Sequence, residues 1–278
     1  MTFSPILPAG GILGFSLLEK TEAVQRDAFN RQPEIARDVD YFTREISSVR
    51  TADELVSDRR LLRVALGAFG MDDEIDKRAF LRKMLEEGSE SDDAFVNNFV
   101  DPRFKAFVDA FGFGNIGGAR TAFATFPSEI TSRYTERQFE IAVGDQDENL
   151  RLALNFRREI LTYANANDPE GVAWFSAMGD LPVRRVLEGA FGLPSSFGQL
   201  DIDRQRDVLR DKSSSTFGDR SLAVFNDPEV LDKAINRFLA RASINDGPST
   251  STPGFAALTI LQGAVGPLAS QNLFQSQF

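Results

Sequence analysis

The 278-residue sequence contains no cysteine and no histidine. That removes disulfides, thiol nucleophiles, Cys/His zinc sites, haem ligation by imidazole and the commonest general base. Only carboxylates, lysine, tyrosine, serine and threonine remain for chemistry, which argues against an enzyme and for no cofactor and no metal. The aromatic set is equally skewed, with 25 Phe against 3 Tyr and 1 Trp. Phenylalanine carries no polar handle, so most of these rings belong in a core rather than against bases or at wet interfaces. Phe69, Phe156, Phe191 and Phe238 are the expected anchors. No run approaches the ~18 uncharged apolar residues of a membrane span. The apolar N-terminal stretch has no basic residue before Lys20, so it lacks the positive n-region of a secretory signal. A cytoplasmic location, or export without a cleaved signal, fits that pattern.

Positive charge is also scarce: 31 basic residues face 41 acidic ones, for a net charge of −10. Such a field repels phosphate backbones and anionic lipid. The basic clusters are pairs, Arg59-Arg60, Arg157-Arg158 and Arg184-Arg185. Each falls in an apolar-periodic stretch and reads as a solvated helix face. Nucleic acid and membrane insertion are therefore not expected.

What is present is helical periodicity. Leu152, Ala153, Phe156, Ile160 and Leu161 form one stripe, with Arg151, Asn155, Arg158 and Glu159 falling away from it. Val230, Leu231, Ala234, Ile235, Phe238 and Leu239 repeat the pattern, as do Phe104, Phe107, Val108 and Phe111. No segment alternates as a strand would, so the expected fold class is all-α. Helix ends are chemically marked. Asp101-Pro102 and Asp227-Pro228 pair an N-cap acceptor with a proline at the first helical position. Thr51 and Glu54 have capping-box spacing, and Gly70 and Gly192 suit C-caps.

The chain also resembles itself. RRLLRVALGAFGM (59–71) answers PVRRVLEGAFGL (182–193), with Asp58 falling on Asp180 at an offset of 122. FVDP (99–102) answers FNDP (225–228) at 126, and YFTREI (41–46) answers NFRREI (155–160) at 114. A tandem duplication of a helical bundle follows. Residues 1–15 then form an N-terminal segment, 16–113 the first helical repeat and 114–127 a Gly-rich joint. The second repeat is 128–245, and 246–278 hold a linker and an apolar C-terminal segment. Across the start of the joint lies Gly112-x-Gly114-x-x-Gly117, the spacing of a dinucleotide-binding loop. That fingerprint needs a strand before it and a helix after it. Here it follows the helical DPRFKAFVDAF, so the glycines read as a flexible hinge between repeats.

Other constellations carry less. Asp145, Asp147 and Asn149 sit at calcium-loop spacing, but Leu150 and Phe156 occupy the glycine and glutamate positions. Paired acids such as Asp72-Asp73 and Glu86-Glu87 point apart on helices and are solubilising. Ser213-Ser214-Ser215 and GPSTSTPG (247–254) read as loops or linkers. The two ends stand out: both are apolar and helix-capable, joined through Gly/Pro-rich stretches. Ile12, Leu13 and Phe15 at one end, and Phe255, Leu258, Leu261, Val265 and Leu268 at the other, are the candidate partner-binding residues. Either these segments fold back on their own core, or they dock as amphipathic helices on another protein or a second copy.

The opening GFSLLEKTEAVQRDAFNRQPEIARDVDYFTREI, the central YTERQFEIAVGDQDENLRLALNFRREI and the closing ALTILQ resemble the alphaproteobacterial DUF1217 proteins. The resemblance brings no activity that maps onto individual residues. Its members are similar to proteins encoded among flagellar genes, which implies a flagellum-associated role. The expectation is a non-enzymatic structural or interaction protein whose partners are other proteins, flagellar components first. The alternative is a cytoplasmic regulator or export chaperone for a flagellar subunit. A homo-oligomer is compatible with either.

Overall fold

A computed structural model describes residues 3–165 and 171–246 of the chain. The described residues form twelve α-helices and no strand. In order these are α1 (Gly11–Asn30), α2 (Pro33–Glu45), α3 (Ala52–Ser57), α4 (Arg59–Gly67), α5 (Arg78–Glu87) and α6 (Pro102–Phe111). Then follow α7 (Phe126–Gly144), α8 (Glu148–Ala164), α9 (Ala173–Gly179), α10 (Leu181–Phe191), α11 (Ile202–Phe217) and α12 (Pro228–Asp246). The caps are those the composition marks. Thr51 and Glu54 close a reciprocal capping box on α3. Asp101 and Asp227 accept from the backbone N–H groups two residues on, ahead of their prolines. Gly70 and Gly192 take positive φ, at 66° and 65°, where the chain turns off α4 and α10.

Two groups of three helices form the body. In one, α4 packs on α2 and α7; in the other, α10 packs on α8 and α12. α7 lies along α8, and α1 bridges α7, α8 and α12. The buried apolar residues run continuously from Phe15 to Leu239 as one core. Phe69, Phe156, Phe191 and Phe238 are all buried in it. The groups share detail. Tyr41 donates to the cap carboxylate of Asp58 at 2.6 Å, and Tyr163 donates to that of Asp180 at 3.1 Å. A Cβ on Gly67 would sit 2.8 Å from the Tyr134 ring of α7, and one on Gly189 would sit 2.6 Å from the Phe238 ring of α12.

Several expectations need correction. The hydroxyl contacts set Tyr41 against Tyr163, in register with Asp58 and Asp180, so YFTREI does not stand opposite NFRREI. Ser213-Ser214-Ser215 is no linker, because it lies inside α11, between an Asp201 N-cap and a left-handed Gly218 at the C-cap. Ser213 is fully buried there, so packing overrides its weak helix preference. The glycine hinge is not loose. Gly114 presses against the backbone at Glu86 and Gly88 so closely that a Cβ would collide with it. Asn115 accepts from Ser89 N at 2.8 Å, tying the turn to the end of α5. These glycines permit close backbone approach, and no strand precedes them. The calcium-like Asp147 is the N-cap of α8, accepting from Asn149 and Leu150 N.

Candidate interaction surface

The N-terminal segment is folded onto its own chain by glutamines. Gln32 accepts from Phe3 N at 3.1 Å, and Gln25 accepts from Ile6 N at 2.7 Å while donating back to Ile6 O. Gln146 donates to Pro5 O at 2.7 Å. Gln25 and Gln32 are themselves buried, so these amides are matched groups inside the fold. The segment then enters α1, which runs unbroken across residues 15 and 16.

The three N-terminal candidates part company on α1. Phe15 is 3% exposed and belongs to the core, so it packs rather than recruits. Ile12 and Leu13 are 44% and 60% exposed on the outer side of the first turn. That turn lies against the start of α8 and the end of α12: a Cβ on Gly10 would sit 2.9 Å from Asp147 Oδ2, and one on Gly11 would sit 2.8 Å from Ser243 Oγ. The start of α1 and the end of α12 therefore meet at one end of the molecule, while Phe3 lies at Gln32, past the other end of α1. Phe255, Leu258, Leu261, Val265 and Leu268 lie outside the described residues.

At the same end a groove of about 570 Å³ opens between α10 and α12, with the first turn of α8 beside it. Phe238, Ala242 and Ile244 line it from α12, and Gly189, Gly192 and Leu193 from the end of α10. Ile244 is 78% exposed. Arg241 and Arg237 hold the α10 terminus by donating to the carbonyl of Ala190, at 2.9 and 3.0 Å. Those contacts satisfy carbonyls that a helix end leaves without partners. Arg185, Glu188, Asn149 and Ser195 complete a polar rim. The groove is lined by polar and apolar groups together, with Leu193, Ala242 and Ile244 among Asn149, Arg185, Glu188 and Arg241.

Sequence reasoning missed the ionic seam where α1, α7 and α8 meet. Arg158 grips Glu140 with two bonds of 3.0 and 2.8 Å and also meets Glu159, which pairs in turn with Arg137. Arg26 reaches Glu136 at 3.2 Å, and Arg157 reaches Glu19 at 3.2 Å and Glu22. Arg157-Arg158 is thus an interior tie, not a solvated face, and Glu159 and Asn155 are likewise drawn inward. Burial works against the Arg158 charge, but the Glu140 bonds outweigh it and hold its pKa above the ordinary value. Burial lowers that of Arg137, with Arg158 beside it adding to the effect. Glu22, Glu136, Glu140 and Glu159 each face an arginine, an arrangement that locks helices together. The matching cap carboxylates differ: burial pushes Asp180 up, aided by Glu159, although Val183 N and Tyr163 oppose it. At Asp58 burial is overcome by the Tyr41 hydroxyl, the N–H groups of Leu61 and Arg60 and the Arg60 charge, so its pKa falls.

No helix among the described residues is long and apolar enough to cross a membrane. No curated protein matches the sequence. A family model described as a protein of unknown function, DUF1217, matches residues 68–231, more than half of the chain. The structure is similar to a crystal structure of a protein from Agrobacterium tumefaciens, with a TM-score of 0.72 and 24% identity over 88% of this chain and 99% of that one. At that identity the likeness speaks for the fold. The family match leaves out α1 to α4 and all but the first turn of α12.

Proposed function

The chain belongs to the DUF1217 family of proteins of unknown function, and on that premise we propose that it is a non-enzymatic, flagellum-associated structural or interaction protein acting through protein–protein contacts. The observation that carries the interaction half is the meeting of the first turn of α1 with the end of α12 close to an open groove, with Ile12, Leu13 and Ile244 exposed at that end. The flagellar half is supported by the resemblance of its sequence to proteins encoded among flagellar genes. The body is read as a doubled helical unit serving as a rigid scaffold. The paired Tyr41–Asp58 and Tyr163–Asp180 contacts, and the paired glycine–ring contacts of α4 and α10, support that reading.

Deleting the gene should impair swimming or filament assembly; normal motility with normal flagella would overturn the proposal. Fractionation then separates the two forms of the role. Recovery in purified basal bodies or filaments supports a structural component. Protein confined to the soluble fraction, with motility still impaired, supports a regulator or export chaperone that holds an apolar client segment.

A further inference from the structure

All 31 basic and 41 acidic residues fall within residues 1–246, and residues 247–278 carry no charged side chain. That segment leaves α12 at Asp246, two residues beyond Ile244 on the lip of the α10–α12 groove. The groove floor is kept open by Gly189 and Gly192, where a side chain would have met Phe238 or Arg241. Phe255, Leu258, Leu261, Val265 and Leu268 recur at the spacing of one helix face. We propose that the groove is the docking site for this chain's own residues 255–268, which cover it until a partner displaces them.

Reach permits it. The eight residues 247–254 span up to roughly 28 Å when extended, ample to double back past Ile244. Attachment favours it as well, because a short tether presents its ligand at an effective concentration on the order of millimolar. An uncharged segment also enters the groove without stripping water from an ion. The consequence is regulatory: an outside segment must compete with the tethered one, so the exposed face is offered only to partners that bind more tightly. The inference rests on reading this end as the interaction surface. Its test uses the isolated full chain, so a failure here leaves the motility and fractionation results standing on their own.

The absence of native cysteine makes the test clean. Full-length chains would carry Ser195→Cys at the groove rim together with Leu258→Cys, Leu261→Cys or Val265→Cys, one pair per chain. Ser195 is exposed and Ser132, on α7 beside a different groove, serves as the control partner. Helical circular dichroism checks that each chain is folded. A short bis-maleimide should close an intramolecular link in at least one Ser195 pair about tenfold faster than in any Ser132 pair. Equal rates for both partners would overturn the proposal, as would covalent dimers as the main product, which would assign the groove to a second copy.

Discussion

Gly189→Ala separates helix propensity from packing. In an unobstructed helix the change stabilises by about 0.5–1 kcal/mol, since alanine loses less backbone freedom on folding. Here the new Cβ would stand 2.6 Å from Cδ2, 3.3 Å from Cε2 and 3.7 Å from Cγ of Phe238. That ring is 6% exposed at the edge of the α10–α12 groove, so moving aside means giving up its core packing. Forcing a methyl into such a contact costs about 1–3 kcal/mol. The net expectation is destabilisation by up to about 2.5 kcal/mol, taking the difference of the two effects. Urea denaturation monitored by circular dichroism reads it directly. The decisive control is the same substitution in a Phe238→Ala background, where Cγ, Cδ2 and Cε2 are all absent and only propensity remains; there Gly189→Ala should be neutral or stabilising. The coupling energy between the two sites should fall at about 1–2 kcal/mol, within the range for residues in contact. A higher urea midpoint for Gly189→Ala in the native background would refute the packing argument. Gly67→Ala, which meets the Tyr134 ring at 2.8 Å, should change stability in the same direction.

Phe156 is fully buried against Phe225, with ring centroids 5.6 Å apart, so Phe156→Ala should cost about 3–5 kcal/mol; a loss below about 1 kcal/mol in urea titration would deny it a core role. Glu140→Ala removes the two-bond partner of Arg158 in the α1–α7–α8 seam, leaving it Glu159 and the more distant Glu136, and should cost about 1.5–3 kcal/mol, whereas replacing both partners by apolar residues, Glu140→Leu with Arg158→Met, should recover most of that loss. Equal losses for the single and double variants in thermal unfolding would show that the seam does not work as a charge pair. Asp58 and Asp180 should respond to pH with opposite signs. The lowered pKa of Asp58 gives a contribution present above the unfolded carboxylate value and lost as pH falls, so Asp58→Asn should be most costly near neutrality. The raised pKa of Asp180 favours the fold at low pH and is lost as pH rises, so Asp180→Asn should compare best with the native chain near neutrality. Parallel stability–pH curves for the two variants would contradict both assignments.

The readable part of this fold was chemical punctuation. Asp101 and Asp227 cap helices as their prolines announced, and Asp58, Asp147 and Asp180, which the sequence did not mark as caps, do the same. The Phe anchors followed from periodicity in the same way. Hidden were features that depend on distant partners. Arg157 and Arg158 look alike and solvated in one dimension, yet Arg157 is drawn to Glu22 of α1 and Arg158 to Glu140 of α7. Gln25, Gln32 and Gln146 carry no signal in sequence, because an amide clasping a backbone segment has no characteristic spacing. Of the candidate site, Ile12 and Leu13 are where an exposed apolar contact was expected, and Phe15 is not, since its position on α1 turns it toward the core.

The seam and the exposed end divide the work between charge and apolar surface. Two helix groups with matching GAFG ends present similar apolar faces, and apolar burial alone is non-directional. The pairs Arg158–Glu140, Arg26–Glu136 and Arg157–Glu22 each join residues of different helices, so any slip between α1, α7 and α8 would part half-buried charges from their partners. Such pairs add little stability against apolar substitutes of equal volume, but they penalise wrong arrangements heavily. A body held in one register can then carry Ile12, Leu13 and Ile244 at a fixed end, each outside the ionic lock. Substitutions there can change what the molecule contacts without loosening the scaffold that presents them.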